Sequence, residues 1–241
     1  MSNILFIGKD LPDGIDFAEG LTSASRKVFA ISKSANDATN FESENIFTST
    51  WNKSSAVSTH STLIQAETKL SPMDEVVFYF DAAYFSSIFE LDKTEDISNA
   101  VDTMINSFLY STTELIKRID QLKEKILVSF IVKEYPSKAE MLSSKVTGIL
   151  PACNVVSAAL QSFISLAENF AANVNDREYL SVILAKCNNT NELYKNDKGI
   201  ASWLAENMNI VEEQKNPQNV KHALNWNKVG TKIQTGFLLF K

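Results

Sequence analysis

Cysteine and histidine are scarce in this sequence. Its 241 residues contain two cysteines, Cys153 and Cys187, and two histidines, His60 and His222. Two cysteines do not make the disulfide framework of a small secreted protein, and this usage fits a reducing compartment. No Cys/His spacing matches a metal site, so we expect no metal and interpret both histidines as surface residues.

Basic residues are fewer than acidic residues, and arginine is rare. Lysine and arginine total 23 against 29 acidic residues, which gives a net charge of −6, and the arginines are Arg26, Arg118 and Arg177. A nucleic-acid-binding protein needs a concentrated basic surface for phosphates, and bidentate phosphate binding depends on arginine. We therefore expect no nucleic-acid partner.

Long apolar runs are missing too. No segment approaches the roughly 18 apolar residues that can span a bilayer, and the N-terminus lacks the basic region and apolar core of a signal peptide. We therefore expect a cytoplasmic protein with no membrane partner. Hydrophobic residues make up 44% and charged residues 22% of the chain, which is ordinary for a globular protein.

The stretch at residues 4–21 organises the rest of the chain. It begins with an apolar run at residues 4–7, continues through a segment with Gly8 and Gly14, and becomes amphipathic from about Ile15. A buried strand, a glycine-containing loop and a helix form the first unit of a dinucleotide-binding fold. The loop, however, carries acids where a phosphate requires neutral donors.

Apolar runs and amphipathic segments alternate along the remainder of the chain. This alternation predicts an α/β protein: a single Rossmann-like, doubly wound domain over residues 1–241, with a seven-stranded parallel sheet and helices on both faces. The predicted strands are 4–7, 27–31, 45–49, 75–81, 125–132, 179–185 and 235–240. One helix is predicted from about residue 15, and four more are predicted at 54–69, 97–122, 151–172 and 199–208. Loops are predicted at 35–43 and 210–225, and a loop or short helix at 133–144.

Short motifs in a consistent order run along nearly the whole chain. In the first half of the chain, Gly14-Ile15, Ala18 and Leu21 match Gly-Ile-Gly-x-Ala-x-Ala-x-x-Leu, Phe80-Asp81-Ala82-Ala83 stands in the place of Asn-Asn-Ala-Gly, and Asn106 stands in the place of an active-site Asn. In the second half, residues 157–160 with Phe163 and residues 166–168 match a catalytic helix, Thr190 matches the Thr of Pro-Gly-x-x-x-Thr, and Thr235-Gly236 precedes the last strand. In these motifs the sequence resembles the short-chain dehydrogenases/reductases. The resemblance implies a fold that binds NAD(P) and supports oxidation and reduction.

The cofactor loop departs from that family. The resemblance places the family's third glycine at Asp16, and Asp10 and Asp13 add negative charge nearby. A helix N-terminus attracts pyrophosphate through free N–H groups and its positive dipole end, so a carboxylate there takes those donors and repels phosphate. The enoyl-reductase branch has a longer loop here, so insertion alone does not exclude a cofactor. We predict that Asp13 or Asp16 caps the helix.

We expect no cofactor, with NAD(P) as the candidate if one binds. Lys33, after the second strand, resembles the basic residue that marks NADP preference, although an incidental surface lysine is the favoured interpretation. The positions that would contact the cofactor are Gly8, Gly14, Asp16, Lys33, Asp81, Ala82 and Thr190.

The catalytic pair that the resemblance implies is absent. The family uses a Tyr as general acid/base with a Lys four residues later, and here those positions hold Cys153 and Ser157, while the enoyl-reductase spacing puts the Tyr at Leu150. Asn106 would be a remnant of the site. Cys153 and Cys187 both map to the cleft and could approach as a thiol pair, although two ordinary buried residues are the favoured interpretation.

Two further positions bear on catalysis. Near the end of the fifth strand, where the family has its catalytic Ser, the chain has Phe130-Ile131, and the side chain of Ser129 is expected on the other face. Tyr135 and Lys138 could be a displaced pair, but the proline between them disfavours the shared helical face that such a pair needs.

Three functions remain open from the sequence. The first is a non-catalytic binding or structural subunit with a degenerate version of this fold. The alternative is an NAD(P)-dependent oxidoreductase with atypical catalytic residues, and the third is a small-molecule sensor. In the family, the counterparts of helices 97–122 and 151–172 form a four-helix dimer interface. Their wide apolar faces predict a homodimer, a homotetramer or a heteromer with a catalytic relative.

Overall fold

Parallel strands form the centre of the computed structural model, which describes residues 1–89, 94–144, 150–213 and 225–233. The strands of this part are β1 (Ser2–Leu11), β2 (Arg26–Ser32), β3 (Ile46–Thr50), β4 (Glu75–Asp81), β5 (Ile126–Lys133), β6 (Leu180–Cys187) and β7 (Asn227–Lys228). They form one seven-stranded parallel sheet in the order β3-β2-β1-β4-β5-β6-β7. The predicted fold class is confirmed.

Helices cover both faces of this sheet. They are α1 (Ile15–Ser23), α2 (Ala35–Phe41), α3 (Ala56–Leu70), α4 (Ala82–Ile88), α5 (Thr94–Val101), α6 (Ser107–Leu122), α7 (Lys138–Ser144), α8 (Asn154–Asn173) and α9 (Asp197–Glu212), and a π-helical segment, Asp102–Asn106, joins α5 to α6. One core packs the sheet against α3, α6 and α8, and the other packs it against α1 and α9. The strand order reverses between β1 and β4, which makes that position the topological switch point.

The central strands follow directly from their apolar sequences. Every residue of β4 and β5 is buried, as uninterrupted apolar runs predict for parallel strands covered on both faces. β4 has the predicted bounds. The long helices predicted at 97–122 and 151–172 appear as α5 to α6 and as α8.

The prediction of a loop at residues 35–43 is wrong. Most of this segment forms α2, and the Oγ of its N-cap, Ser34, accepts a hydrogen bond from the N–H of Asp37 at 3.1 Å. None of the residues of α2 is buried, so the helix lacks the apolar periodicity on which the prediction depended. The serine cap, rather than an apolar face, is the sequence signal for this helix.

The described sheet ends in a seventh strand, β7, that the sequence did not predict. β7 is a two-residue strand that pairs with Ala185 and Lys186 of β6. The predicted strand at 235–240 lies outside the described residues, as does the Thr235-Gly236 motif. α9 continues to Glu212, so the predicted loop at 210–225 begins too early.

Among the described helices, α8 is long and apolar enough in composition to cross a membrane. Its buried residues, which include Val156, Phe163 and Phe170, lie in the core between the sheet and the helices. The core helix of a soluble protein passes the same test of length and composition. Packing against the sheet therefore accounts for part of the apolar character of α8.

Helices α1 and α9 lie in close contact on one face of the sheet. A Cβ placed on Gly20 of α1 would lie 2.7 Å from the Cβ of Ala201 and 2.7 Å from the carbonyl oxygen of Lys198, both on α9. Cβ atoms do not approach other atoms so closely, so the missing side chain at Gly20 sets the distance between the helices. This contact lies one turn from Asp197, the first residue of α9.

We predict that Gly20→Ala lowers the free energy of unfolding by about 1–3 kcal/mol, the usual cost of forcing extra volume into a packed contact. This loss is expected although alanine itself favours a helix over glycine by about 1 kcal/mol. Urea unfolding measures the difference. Ser23→Ala, at an exposed position of α1, is the control and should change stability by less than about 0.5 kcal/mol; equal stabilities of the two variants would contradict the prediction.

Candidate functional site

Four charged side chains converge at the carboxyl ends of the central strands. Lys9 lies near the end of β1, Asp81 ends β4, Lys133 ends β5 and Asp197 begins α9. Ligands of open α/β folds bind at this edge, next to the topological switch point. These four residues are called the lysine–aspartate cluster below.

Each lysine of the cluster contacts both aspartates. The Nζ of Lys9 lies 2.6 Å from Asp197 Oδ2 and 3.0 Å from Asp81 Oδ2, and the Nζ of Lys133 lies 2.9 Å from Asp197 Oδ1 and 3.2 Å from Asp81 Oδ2. The hydroxyl of Tyr79 donates a hydrogen bond to Asp197 Oδ1 at 3.0 Å. The side chain of Lys9 is 12% exposed and the other three are exposed by 9% or less. The cluster is therefore a buried network of two cations and two anions.

Burial makes these charges depend on their pairing. Desolvation alone would lower the pKa of Lys9, but the charges of Asp81 and Asp197 outweigh it, and the pKa of Lys9 is raised. Desolvation would likewise raise the pKa of Asp197, but the two lysines outweigh it, and that pKa is lowered. Burial raises the pKa of Tyr79 far above its usual value, so its hydroxyl remains a donor.

Aromatic rings also contact the two ammonium groups. The Nζ of Lys9 lies 5.1 Å from the ring centroid of Tyr84, and the Nζ of Lys133 lies 5.1 Å from that of Tyr194. Both distances are in the range of cation–π interactions. The hydroxyl of Tyr194 donates to the carbonyl oxygen of Glu134 at 2.8 Å, which holds this ring at the end of β5.

Gly8 and Gly14 allow close approach between segments of backbone. A Cβ on Gly8 would lie 2.3 Å from the carbonyl oxygen of Tyr79 on β4, and a Cβ on Gly14 would lie 2.2 Å from the carbonyl oxygen of Lys9. Both glycines are therefore required by contacts within the chain. β1 continues through Gly8 to Leu11, so the predicted strand is too short and the predicted loop too long.

The prediction that Asp13 or Asp16 caps α1 is wrong. The N-cap is Gly14, with no side-chain hydrogen bond to the cap within the described residues. The N–H of Gly14 donates to the carbonyl oxygen of Asp10 at 3.1 Å, and the next N–H donates to that of Pro12 at 3.0 Å. These two bonds close the turn that leads into α1, while Asp16 is exposed in the first turn of the helix.

Asp13 pairs with Lys33 instead. Its Oδ2 accepts hydrogen bonds from the Nζ of Lys33 and from the hydroxyl of Tyr84, the latter at 2.8 Å. Burial opposes ionisation of Asp13, but these two bonds outweigh it and hold its pKa below the usual value. Lys53 pairs with Asp10 at 2.7 Å. Two acids of the loop therefore have lysine partners.

Asp81 has a second contact at the start of α4. Its Oδ1 accepts a hydrogen bond from the N–H of Tyr84 at 3.0 Å and caps the helix, which begins at the fully buried Ala82. The segment that resembles Asn-Asn-Ala-Gly is therefore the end of a strand followed directly by the first turn of a helix.

Asn106 and Thr190 make local hydrogen bonds. Asn106 lies in the π-helical segment, and its Nδ2 donates to Asp102 Oδ1 at 2.7 Å. Thr190 is exposed, and its Oγ1 donates to Asn188 Oδ1 at 2.9 Å. Within the described part of the chain, neither side chain bonds to the lysine–aspartate cluster, although π-helical segments often mark functional positions.

Cys153 and Ser157 lie one turn apart at the start of α8, where the N–H of Ser157 donates to the carbonyl oxygen of Cys153 at 2.9 Å. Cys153 belongs to the core that contains α8, whereas Cys187 belongs to the core of α1 and α9. Both are free thiols, so the alternative of a thiol pair is wrong. Burial raises the pKa of Cys187 to about 11.

Tyr135 and Lys138 do not share a helix. α7 begins at Lys138, and the hydroxyl of Tyr135 donates to the carbonyl oxygen of Leu150 at 2.9 Å. Ser129 is fully buried in the middle of β5, and its Oγ has no hydrogen-bond partner among the described residues. The described residues therefore place none of these three side chains in an acid–base pair.

No group of three or more potential metal ligands occurs in the part of the chain that the structure describes. His60 is an exposed residue, as predicted, with its Nδ1 at 2.6 Å from Glu114 Oε1. His222 lies outside the described residues.

Four residues of this site were not predicted from the sequence: Lys9, Lys133, Asp197 and Tyr79. A signal existed for the two lysines, because each follows an apolar strand, and the carboxyl ends of neighbouring parallel strands meet at one edge. Asp197 gave no such signal, because its position depends on how α9 returns to the sheet.

Comparison with solved structures identifies the fold. The chain is similar to the 3-ketoacyl-(acyl-carrier-protein) reductase from Brucella melitensis complexed with NADH, at 14% identity and a TM-score of 0.62, covering 96% of this chain and 98% of that one. It is also similar to serine dehydrogenase from Escherichia coli, at 13% identity and a TM-score of 0.61, covering 95% of this chain and 96% of that one. A short-chain dehydrogenase/reductase from Serratia marcescens is similar at 13% identity and a TM-score of 0.57, covering 85% of this chain and 90% of that one. No family model and no curated protein matches the sequence. The predicted likeness is confirmed at the level of the fold.

We predict that the cluster loses its stabilising effect at both ends of the pH scale. The lowered pKa of Asp197 gives stability that is present above its unfolded value, about 3.9, and is lost as the pH falls through the lower folded value. The raised pKa of Lys9 gives stability that is present below about 10.4 and is lost as the pH rises through the higher folded value.

Urea unfolding between about pH 3 and pH 11 measures this effect. The slope of the unfolding free energy against pH reports the number of protons that unfolding binds or releases. The control is the charge-balanced variant Lys9→Met/Asp197→Asn, which retains Lys133 and Asp81. The stability difference between wild type and variant should be largest near neutral pH and should shrink toward both extremes. A difference that is constant with pH would contradict the prediction.

Proposed function

We propose that this chain, which has the fold of the short-chain dehydrogenases/reductases, is a non-catalytic binding or structural subunit that does not bind NAD(P). The observation that carries the proposal is the lysine–aspartate cluster. Its side chains occupy the carboxyl ends of β1, β4 and β5, where open α/β folds bind their ligands. The ion pairs of the lysine–aspartate cluster thus lie at the edge of the sheet where a cofactor would bind.

The residues of this edge do not fit a dinucleotide. Pyrophosphate binding at a helix N-terminus requires free N–H groups and the absence of competing negative charge. Here the N–H of Gly14, the N-cap, and the N–H of Ile15, the first residue of α1, bond to the carbonyl oxygens of Asp10 and Pro12, and Asp16 places a carboxylate in the first turn. Both cluster lysines, which could attract phosphate, are neutralised by buried aspartates.

The positions expected for catalysis give a second support. The resemblance aligns Cys153 and Ser157 with the catalytic Tyr and Lys, and neither residue can act as the tyrosine–lysine pair does. Proton transfer requires an acid whose pKa is tuned and whose proton is within reach of the substrate. Tyr135, the nearest tyrosine in sequence, uses its hydroxyl in a bond to the carbonyl oxygen of Leu150.

The alternative is an NAD(P)-dependent oxidoreductase with atypical catalytic residues. It is favoured by the likeness to a reductase solved with NADH and by the position of Lys33, directly after β2. A basic residue there would select NADP over NAD. Lys33 is 43% exposed, but its bond to Asp13 would have to break before its ammonium group could contact a 2′-phosphate.

Titration of the purified protein with NADPH and with NADH separates the two functions. We predict no rise in the melting temperature and no calorimetric heat at millimolar nucleotide. A nucleotide at one hundred times its Kd would add about 2.7 kcal/mol to the stability, which is readily measured. A nucleotide-binding protein of the same fold serves as the positive control. A clear shift with either nucleotide would contradict the proposal, and Lys33→Ala would then show whether Lys33 contributes to a preference for NADPH.

We also propose that the protein assembles through α6 and α8. A groove of about 520 Å³ lies between α8 on one side and α6 with the preceding π-helical segment on the other. Leu109 on its rim is 43% exposed, and Ile105 and Leu166 are half-buried. Adjacent apolar side chains that remain in contact with water are typical of interaction sites. The proposed partner is a second copy, in a homodimer or homotetramer, or a catalytic relative in a heteromer.

We predict that the wild type is a homodimer or homotetramer at micromolar concentration and that Leu109→Glu shifts it to the monomer, because a carboxylate in a buried interface loses its hydration. Light scattering after size-exclusion chromatography measures the mass. Ile64→Glu on α3 is the matched control, because Ile64 is also 43% exposed and lies outside the groove. A monomeric wild type would contradict the homo-oligomer, and equal masses for Leu109→Glu and the wild type would contradict this location of the interface.

A further inference from the structure

Asp197 reaches the cluster from outside the sheet. The other three members belong to β1, β4 and β5, whereas Asp197 is the first residue of α9. The N-cap of α9 is Asn196, whose Oδ1 accepts a hydrogen bond from the N–H of Gly199 at 2.8 Å. The close contact of Gly20 with Ala201 holds the same turn of the helix against α1. Two independent contacts therefore fix the position of this carboxylate.

The carboxylate of Asp197 has the surroundings of a bound anion. Its Oδ2 accepts from the Nζ of Lys9 at 2.6 Å, and its Oδ1 accepts from the Nζ of Lys133 at 2.9 Å and from the hydroxyl of Tyr79 at 3.0 Å. It also lies in the first turn of α9, where the helix dipole favours negative charge. Charged and neutral donors that converge in this way recognise the oxygens of carboxylates and phosphates.

Asp81 is not equivalent to Asp197. It belongs to a central strand and its side chain is 1% exposed. Its Oδ1 caps α4 through the N–H of Tyr84, and its Oδ2 contacts the two lysines. Without Asp197, this single carboxylate would face two ammonium groups, and one positive charge would remain uncompensated in a buried place.

We propose that the switch point of this chain is a binding site for a small oxyanion and that Asp197 is its built-in occupant. The first turn of α9 delivers the carboxylate as an internal ligand and closes the site to anions from solution. This inference deepens the proposed function and rests on it, because a nucleotide could enter the edge only if Asp197 left it. The class of ligand follows from the donors: a carboxylate or phosphate group bound by two lysines and a tyrosine.

Formate tests this inference, because it supplies the carboxylate that Asp197→Ala removes. We expect formate to raise the melting temperature of Asp197→Ala in a saturable way, with chloride at equal ionic strength as the reference. The apparent Kd should be at least about tenfold lower than for any formate effect on the wild type, a difference of about 1.4 kcal/mol in binding free energy. Inorganic phosphate in place of formate tests the larger ion of the same class.

Two further variants make the test specific. The charge-balanced double variant Lys9→Met/Asp197→Ala retains one lysine and one aspartate, so it should fold and should not respond to formate. Glu206→Ala, which removes an exposed acid of the same helix, α9, should behave as the wild type does. If Asp197→Ala does not fold in chloride, refolding in formate replaces the melting measurement, and a folded protein in formate alone is then the expected result.

Several results would overturn the inference. They are an equal response of Asp197→Ala and wild type to formate and phosphate, an equally strong response of the double variant, and an Asp197→Ala protein that neither anion refolds. These results leave the proposed function intact, because they concern the variant. Binding of NADPH or NADH to the wild type would instead contradict the proposed function, and the two failures are therefore distinguishable.

Discussion

The balance of buried charge in the lysine–aspartate cluster is the constraint on which the functional edge of this fold depends. An ion that leaves water loses several kcal/mol of hydration, which other charges and hydrogen bonds must replace. Each lysine contacts both aspartates. Removal of any one of the four side chains would therefore leave an opposite charge buried without a full partner. The cluster thereby joins the ends of β1, β4 and β5 to the start of α9. These elements are far apart in sequence and meet only in the folded chain.

A second buried ion pair holds the other end of α9. Arg26 at the start of β2 donates to Glu75 of β4 at 3.0 Å, to the carbonyl oxygen of Ala205 at 3.0 Å and to Asn209 Oδ1 at 2.6 Å. Both ion-pair partners are buried, with 3% and 0% of their side chains exposed. α9 is therefore tied to the sheet by the carboxylate of its first residue and, further along, by hydrogen bonds from Arg26, while Gly20 brings the beginning of the helix close to α1. Movement of α9 away from the switch point would break at least one of these contacts, which gives the closed edge its physical basis.

The sequence predicted the central strands of the sheet, and it did not predict the edge strand β7 or the lysine–aspartate cluster; the reason is physical. Strands such as Glu75–Asp81 are covered on both faces, so burial alone determines their composition and their apolar runs reveal them. The helix Ala35–Phe41 buries none of its residues and was therefore missed, and the paired strand Asn227–Lys228 is too short to show any period. The cluster was missed because its pairing depends on tertiary contact. A lysine at the end of an apolar strand gives no sign of whether its partner is solvent, a ligand or an aspartate on a distant helix.

Gly8 and Gly14 show why a motif has to be explained by its contacts before it is taken as evidence of a cofactor. In this chain Gly8 lies against the backbone of Tyr79 and Gly14 against that of Lys9, at distances that admit no side chain. These contacts arise because β1 and β4 are neighbours in the sheet and because the chain turns tightly into α1, so the fold requires the glycines even when no phosphate is present. Whether such a backbone holds a nucleotide depends on the charges around it, and in this chain the strands and α9 supply those charges in pairs.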